Sequence, residues 1–267
     1  SSGEMLPAVG LGSWITFNVG DDDAARENCT RVVKAFFEGG GRMIDSSPMY
    51  GSSQPVIGHA LKALNYPTQL FSAEKVWTGD AARGAAQMEA SRAYWGVPRF
   101  DLMQVHNLLA WQEHLPRLLE WKASGRLRYV GISTSEGRRH EELEKIMRSQ
   151  AIDFVQLRYN LAAREVEKRL LPLALERGIA VIVNRPFRQG ALLEQLRPRP
   201  LPGWAASVGC DSWAQVALKF VLSHPAVTCA IPATSQVAHV RQNLGAAIGP
   251  MPDGAMRTRM AAEAAAL

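Results

Sequence analysis

The sequence alternates eight times between a short apolar run and a stretch with helical spacing, and this alternation restricts the fold more than any other feature. The apolar runs fall at 9–14, 43–44, 70–76, 101–105, 129–132, 154–157, 179–183 and 227–231. A first helix is predicted behind the acidic cap at Asp21, Asp22 and Asp23, stopping at Gly39 to Gly41. Further helices are predicted over 55–64, 81–95, 114–123, 136–148, 165–177, 211–223 and 236–247, with a tail helix after Met251. Residues 185–209 are rich in proline and glycine and read as irregular. Strands that alternate with helices form parallel sheets with right-handed crossovers. Eight repeats in about 250 residues favour a closed (β/α)8 TIM barrel over an open sheet. An open dinucleotide-binding sheet would carry GxGxxG after its first strand; here that strand ends GLGSW, with neither the third glycine nor a helix opening there. Composition does not break anywhere, so residues 1–267 are expected to form a single barrel domain.

The 267 residues are 47% hydrophobic, enough for a large core. No stretch reaches the roughly 18–20 uninterrupted apolar residues of a membrane helix, and a soluble, cytoplasmic protein without membrane partners is expected. The first residue is Ser1, which leaves a removed secretory or twin-arginine leader open. Cys29, Cys210 and Cys229 are far apart and read as inert thiols, with neither a disulfide framework nor a metal site. The net charge of +5 is scattered over helical faces, which argues against nucleic acid and leaves an anionic small molecule open.

In a barrel of this kind, function gathers where the strands end. Asp45 ends the second run, Tyr50 lies in the turn after it, Lys75 ends the third and His106 the fourth. Lysine beside a phenol favours the phenolate and lowers the phenol's pKa, aspartate keeps that lysine charged, and histidine adds a donor that can orient a carbonyl oxygen. Singly, each of these residues is more often a cap, a solvated charge or a packed imidazole; their joint placement at adjacent strand ends gives the signal its weight.

The chain resembles the aldo-keto reductases along essentially its whole length. The stretches that carry the resemblance are GLGSW at 10–14, IDSSPMYG at 44–51, EKVW at 74–77, DLMQVHN at 101–107, VGIS at 130–133, DFVQLRYN at 153–160 and IPATS…RQN at 231–243. The resemblance implies reduction of an aldehyde or ketone by hydride from NADPH, with NADH as an alternative. It makes Tyr50 the general acid–base, tuned by Lys75 and Asp45, with His106 orienting the carbonyl. It places Ser13, Trp14 and Asp45 near the nicotinamide ribose, and Ser133 and Gln156 at the carboxamide. Thr134 stands where the family commonly has asparagine, and Arg185 is read at the place of a stacking aromatic. Thr234 and Ser235 are expected at a 2′-phosphate, with Gln242 and Asn243 near the adenine. Ala233 and His239 replace two familiar cations, which leaves Arg241 as the nearest one and predicts a weakened preference for NADPH.

Trp14, Met49, Trp77 and Trp111 are expected as walls of the substrate pocket. The pocket is expected to be open and to accept small or varied carbonyl compounds, because the sequence ends soon after the tail helix. A monomer is expected. Two other readings stay open: a cofactor-sensing regulatory subunit, and a non-redox barrel lyase or isomerase that uses Tyr50 as an acid.

Overall fold

A computed structural model describes residues 2–265. Eight parallel strands run in chain order around the molecule: β1 (Leu11–Gly12), β2 (Met43–Asp45), β3 (Phe71–Val76), β4 (Phe100–Val105), β5 (Leu127–Ser133), β6 (Phe154–Arg158), β7 (Ala180–Asn184) and β8 (Val227–Ala230). The sheet curls until its edges meet: Val9 bridges Ala230, Gly12 bridges Ala233, and Gly10 N–H donates to the Ala230 carbonyl at 2.8 Å. Gly12 is needed at this seam, since a Cβ there would come within 2.7 Å of the Ile231 carbonyl oxygen.

The outer layer comprises α1 (Asp23–Glu38), α2 (Ser53–Ala63), α3 (Ala81–Trp95), α4 (Trp111–Ala123), α5 (His140–Ser149), α6 (Leu170–Arg177), α7 (Ala191–Leu196), α8 (Trp213–Leu222) and α9 (Val237–Gly245), with α10 (Gly254–Ala265) closing the described chain. Local chemistry sets the helix ends. Asp22 caps α1 by accepting from Ala25 N–H at 2.8 Å, Asp80 caps α3, and left-handed Gly96 ends α3.

Several boundaries differ from the sequence reading. The helix predicted over 211–223 starts later: Ser212 caps α8 by accepting from Gln215 N–H at 3.3 Å. Residues 185–209 are not wholly irregular: they hold α7 and short 3₁₀ turns, because Leu192 and Leu196, one helical turn apart, are buried against the core.

Strand periodicity divides the side chains between two cores. Outward residues pack under the helices in the larger core, whereas Met43, Phe71, Ala73, Leu102, Phe154, Ile182, Cys229 and Ile231 fill the barrel interior. Successive inward positions lie two residues apart. One step beyond the apolar layer, several strands present polar groups: Asp45 after Met43, Lys75 after Ala73, Gln104 after Leu102, Gln156 after Phe154 and Asn184 after Ile182. The barrel is therefore apolar below and polar at its C-terminal mouth.

Candidate active site

Lys75 Nζ is completely buried and donates to Asp45 Oδ1 at 2.5 Å and to the Ser46 carbonyl at 2.7 Å. The aspartate's other oxygen accepts from Gln156 Nε2 at 2.8 Å and Gln104 Nε2 at 3.4 Å, while its backbone carbonyl accepts from Ser13 Oγ at 2.9 Å. A buried charge pair persists only when its remaining lone pairs are engaged, and these amides do that. Burial alone would lower the Lys75 pKa. The charge of Asp45 and its hydrogen bond to the ammonium lead the contributions that outweigh it and hold the ammonium above the ordinary lysine value.

Tyr50 stands beside this pair, its ring centroid 5.4 Å from Lys75 Nζ and 5.7 Å from the His106 ring, which meets it edge-on at 88°. Burial raises the phenol's pKa more than Lys75 lowers it, and the charges of Asp45 and Glu74 raise it further. Lys75 does favour the phenolate, as expected, but burial outweighs it, so the phenol's pKa is raised and not lowered. His106 is pushed down to about 2, by burial first and the charge of Lys75 second, so the imidazole is neutral. Its Nδ1 pairs with Ser47 Oγ at 2.6 Å, and Ser47 Oγ also accepts Met49 N–H at 3.2 Å.

These groups meet at a cavity of about 420 Å³ at the strand ends, within the usual range for ligand sites. Its walls include Ser13, Trp14, Asp45, Met49, Tyr50 and His106, then Ser133, Thr134, Gln156 and Arg185, and also Thr234, His239, Gln242 and Asn243. Lys75 acts on this space from behind. Besides Lys75, four residues expected at the site lie off the cavity wall. Trp77 is 37% exposed and bonded through its backbone N–H to Gln87, and Trp111 turns its indole N–H to Glu142 on α5. Exposed Ser235 offers its carbonyl to Asn28, and Arg241 faces solvent. The cationic side chains on the wall are instead Arg185 and Arg197, the latter from α7 and absent from the sequence reading. The Arg185 guanidinium lies 5.9 Å from the Trp14 ring, on a backbone with φ of 51°.

Ser47, Gln104, Asn107 and Asn184 also escaped the sequence reading. Asn184 was findable by counting two residues from Ile182, whereas the partners of Ser47 and Gln104 are brought in from distant strands. Asn107 and Asn184 line the cavity, yet the buried Oδ1 of each has no hydrogen-bond partner among the described residues. Unpartnered buried acceptors are rare, and a pair on one cavity wall suits a polar ligand. Thr234 Oγ1, 3.3 Å from His239 Nδ1, sits just before α9. Amides and a helix N-terminus on the wall of one cavity fit a nicotinamide dinucleotide.

Residues 8–259 match the aldo/keto reductase family. The chain belongs to that family. Its activity is NAD(P)H-dependent reduction of an aldehyde or ketone to an alcohol. The chain is 30% identical over 248 residues to methylglyoxal reductase YeaE of Escherichia coli, covering 91% of this chain and 86% of the relative. It is 26% identical to an NADH-specific methylglyoxal reductase of the same organism, covering 75% and 69%. Among solved structures, an aldo/keto reductase from Klebsiella pneumoniae in complex with NADP and acetate superposes with a TM-score of 0.81 at 25% identity, covering 96% of this chain and 90% of that one. Among the described residues, no helix is long and apolar enough to cross a membrane.

Proposed function

We propose that this chain, acting as one barrel unit and as a monomer in the cytoplasm, reduces small 2-oxoaldehydes of the methylglyoxal kind, with Tyr50 as the proton donor. The observation that carries the reading is the buried Lys75–Asp45 pair set behind Tyr50 and beside a neutral His106 at one cavity. The substrate class rests on the names of the two Escherichia coli relatives; Trp14, Met49, Tyr50, His106 and Asn107 line the reacting end of the pocket.

When bound, the nicotinamide would supply hydride to the carbonyl carbon. The chain's own residues handle the oxygen. Ser47 already accepts the Met49 N–H, and donating its own hydroxyl to Nδ1 gives His106 the tautomer with hydrogen on Nε2, a donor for the carbonyl oxygen. Tyr50, kept as a neutral phenol by burial, protonates that oxygen as negative charge grows on it. Lys75 stabilises the phenolate left behind, and Asp45 balances the lysine throughout the cycle. Ser13, Trp14, Ser133, Gln156, Arg185, Thr234, Gln242 and Asn243 would hold the cofactor along the wall, with NADPH favoured and NADH usable. Arg197 adds a second cation, with Arg185, to a wall on which Ala233 and His239 stand in place of the expected ones.

The test is steady-state turnover of NADPH with methylglyoxal and with simple aliphatic aldehydes. A kcat/KM for methylglyoxal at least about tenfold above that for propanal, a difference of about 1.4 kcal/mol, is expected. Equal values would remove the 2-oxoaldehyde assignment while leaving the reductase intact. Gel filtration at the mass of one chain tests the monomer.

A further inference from the structure

The charge on Asp45 fixes the orientation of a chain of amides that ends on the cavity wall. A carboxylate only accepts hydrogen bonds, so Gln156, 2.8 Å away, must turn its NH2 toward Asp45 Oδ2. Its carbonyl oxygen Oε1 therefore faces Asn184, which must in turn present its own NH2, 3.4 Å from that oxygen and 3.1 Å from the Thr134 carbonyl. Both acceptors that Asn184 meets demand its amino group. Its Oδ1 is consequently left buried with no donor among the described residues, on the wall of the same cavity. Thr134 cannot relieve it: its hydroxyl accepts Glu136 N–H at 3.1 Å and lies 3.4 Å from the Glu136 carbonyl, closing a local turn.

We propose that Asn184 is a cofactor-binding residue whose Oδ1 accepts an N–H of the nicotinamide carboxamide. The assignment rests on the cofactor site described above. A primary carboxamide offers one acceptor and two N–H donors. Ser133 Oγ, whose 3.4 Å contact to the Val105 carbonyl is long, is free to donate to the cofactor's carbonyl. Gln156 Oε1 is already shared with Asn184, which leaves the unpartnered Oδ1 as the open acceptor. Asparagine thus gives the end of β7 a hydrogen-bonding role, and the missing amide at Thr134 is replaced from the neighbouring part of the wall. The same chain of amides joins the cofactor's carboxamide to Asp45 and, through Asp45, to Lys75.

The experiment compares binding of NADPH with that of its 3-acetylpyridine analogue, whose methyl ketone keeps the carbonyl and lacks the N–H donors. Quenching of tryptophan fluorescence gives both dissociation constants without turnover, Trp14 being on the cavity wall. The wild type should bind NADPH about fivefold more tightly than the analogue, the scale of one hydrogen bond. In Asn184→Leu the preference should fall to below about twofold, chiefly through weaker NADPH binding. An unchanged preference in a variant with wild-type circular dichroism would assign the N–H to Gln156 Oε1 and overturn the proposal. If Asn184→Leu does not fold, Asn184→Ala is read by the same two outcomes. Failure of the wild type to bind either dinucleotide would sink the cofactor site itself, an outcome distinct from an unchanged ratio.

Discussion

Glu74 gives the sharpest energetic prediction. It precedes Lys75 in β3 and therefore points the other way, out of the barrel, where it is completely buried. Its Oε2 accepts from Gln54 Nε2 at 2.9 Å and Trp95 Nε1 at 3.0 Å, and its Oε1 from Lys75 N–H at 2.9 Å. Burial pushes its carboxyl up to about 7, despite the opposing hydrogen bond from Gln54 and the charge of Lys75. An acid whose folded pKa exceeds its unfolded value binds more protons when folded, so stability falls as pH rises from the unfolded value through the folded one. With an unfolded value near 4.5 and a folded value near 7, the loss between pH 5 and pH 8 is roughly 2.5 kcal/mol. Glu74→Gln removes this titration while keeping the shape. Urea unfolding of both proteins at pH 5, 6, 7 and 8 should show the variant gaining on the wild type by that amount across the range. Its absolute stability will be offset by a donor facing a donor, since glutamine has only one acceptor for three N–H groups. Parallel pH dependences in the two proteins would refute the assignment of a buried, titrating carboxyl next to Lys75.

Three further outcomes follow from the site. Asp45→Leu leaves the Lys75 charge buried and unpaired and should cost about 3–5 kcal/mol in urea unfolding; a loss below about 1 kcal/mol would contradict the pairing. Because His106 is held near 2 and Tyr50 above the ordinary phenol range, kcat/KM for reduction should show no histidine step between pH 5 and 8 and no alkaline decline below about pH 10. The NADPH/NADH ratio of kcat/KM should stay below roughly a hundredfold, about 2.7 kcal/mol, as expected where Ala233 and His239 replace cations.

Much of the fold was legible because strand and helix periods are local: the eight runs, the Asp22 cap and the polar residues that close β2, β3 and β4 can be read from spacing alone. What escaped was set by distance or by one-residue shifts. The sequence reading ended β7 at Val183 and put Arg185 at the key position; the strand continues to Asn184, and a single step along a strand reverses the face a side chain serves. Trp111 looked like a pocket wall because it follows β4, but Glu142 on α5 draws its indole away. Arg197 was hidden inside a stretch whose prolines and glycines obscured the short α7.

The most direct test of the account is single-turnover reduction of methylglyoxal by NADPH with wild type and Tyr50→Phe, alongside NADPH binding by fluorescence. A proton donor contributes about 10²–10⁴ in rate, so the variant should bind NADPH within about twofold of wild type and lose at least a hundredfold in the chemical step. A Tyr50→Phe enzyme that reduces the substrate within about tenfold of the wild-type rate would contradict the role of Tyr50 as the proton donor.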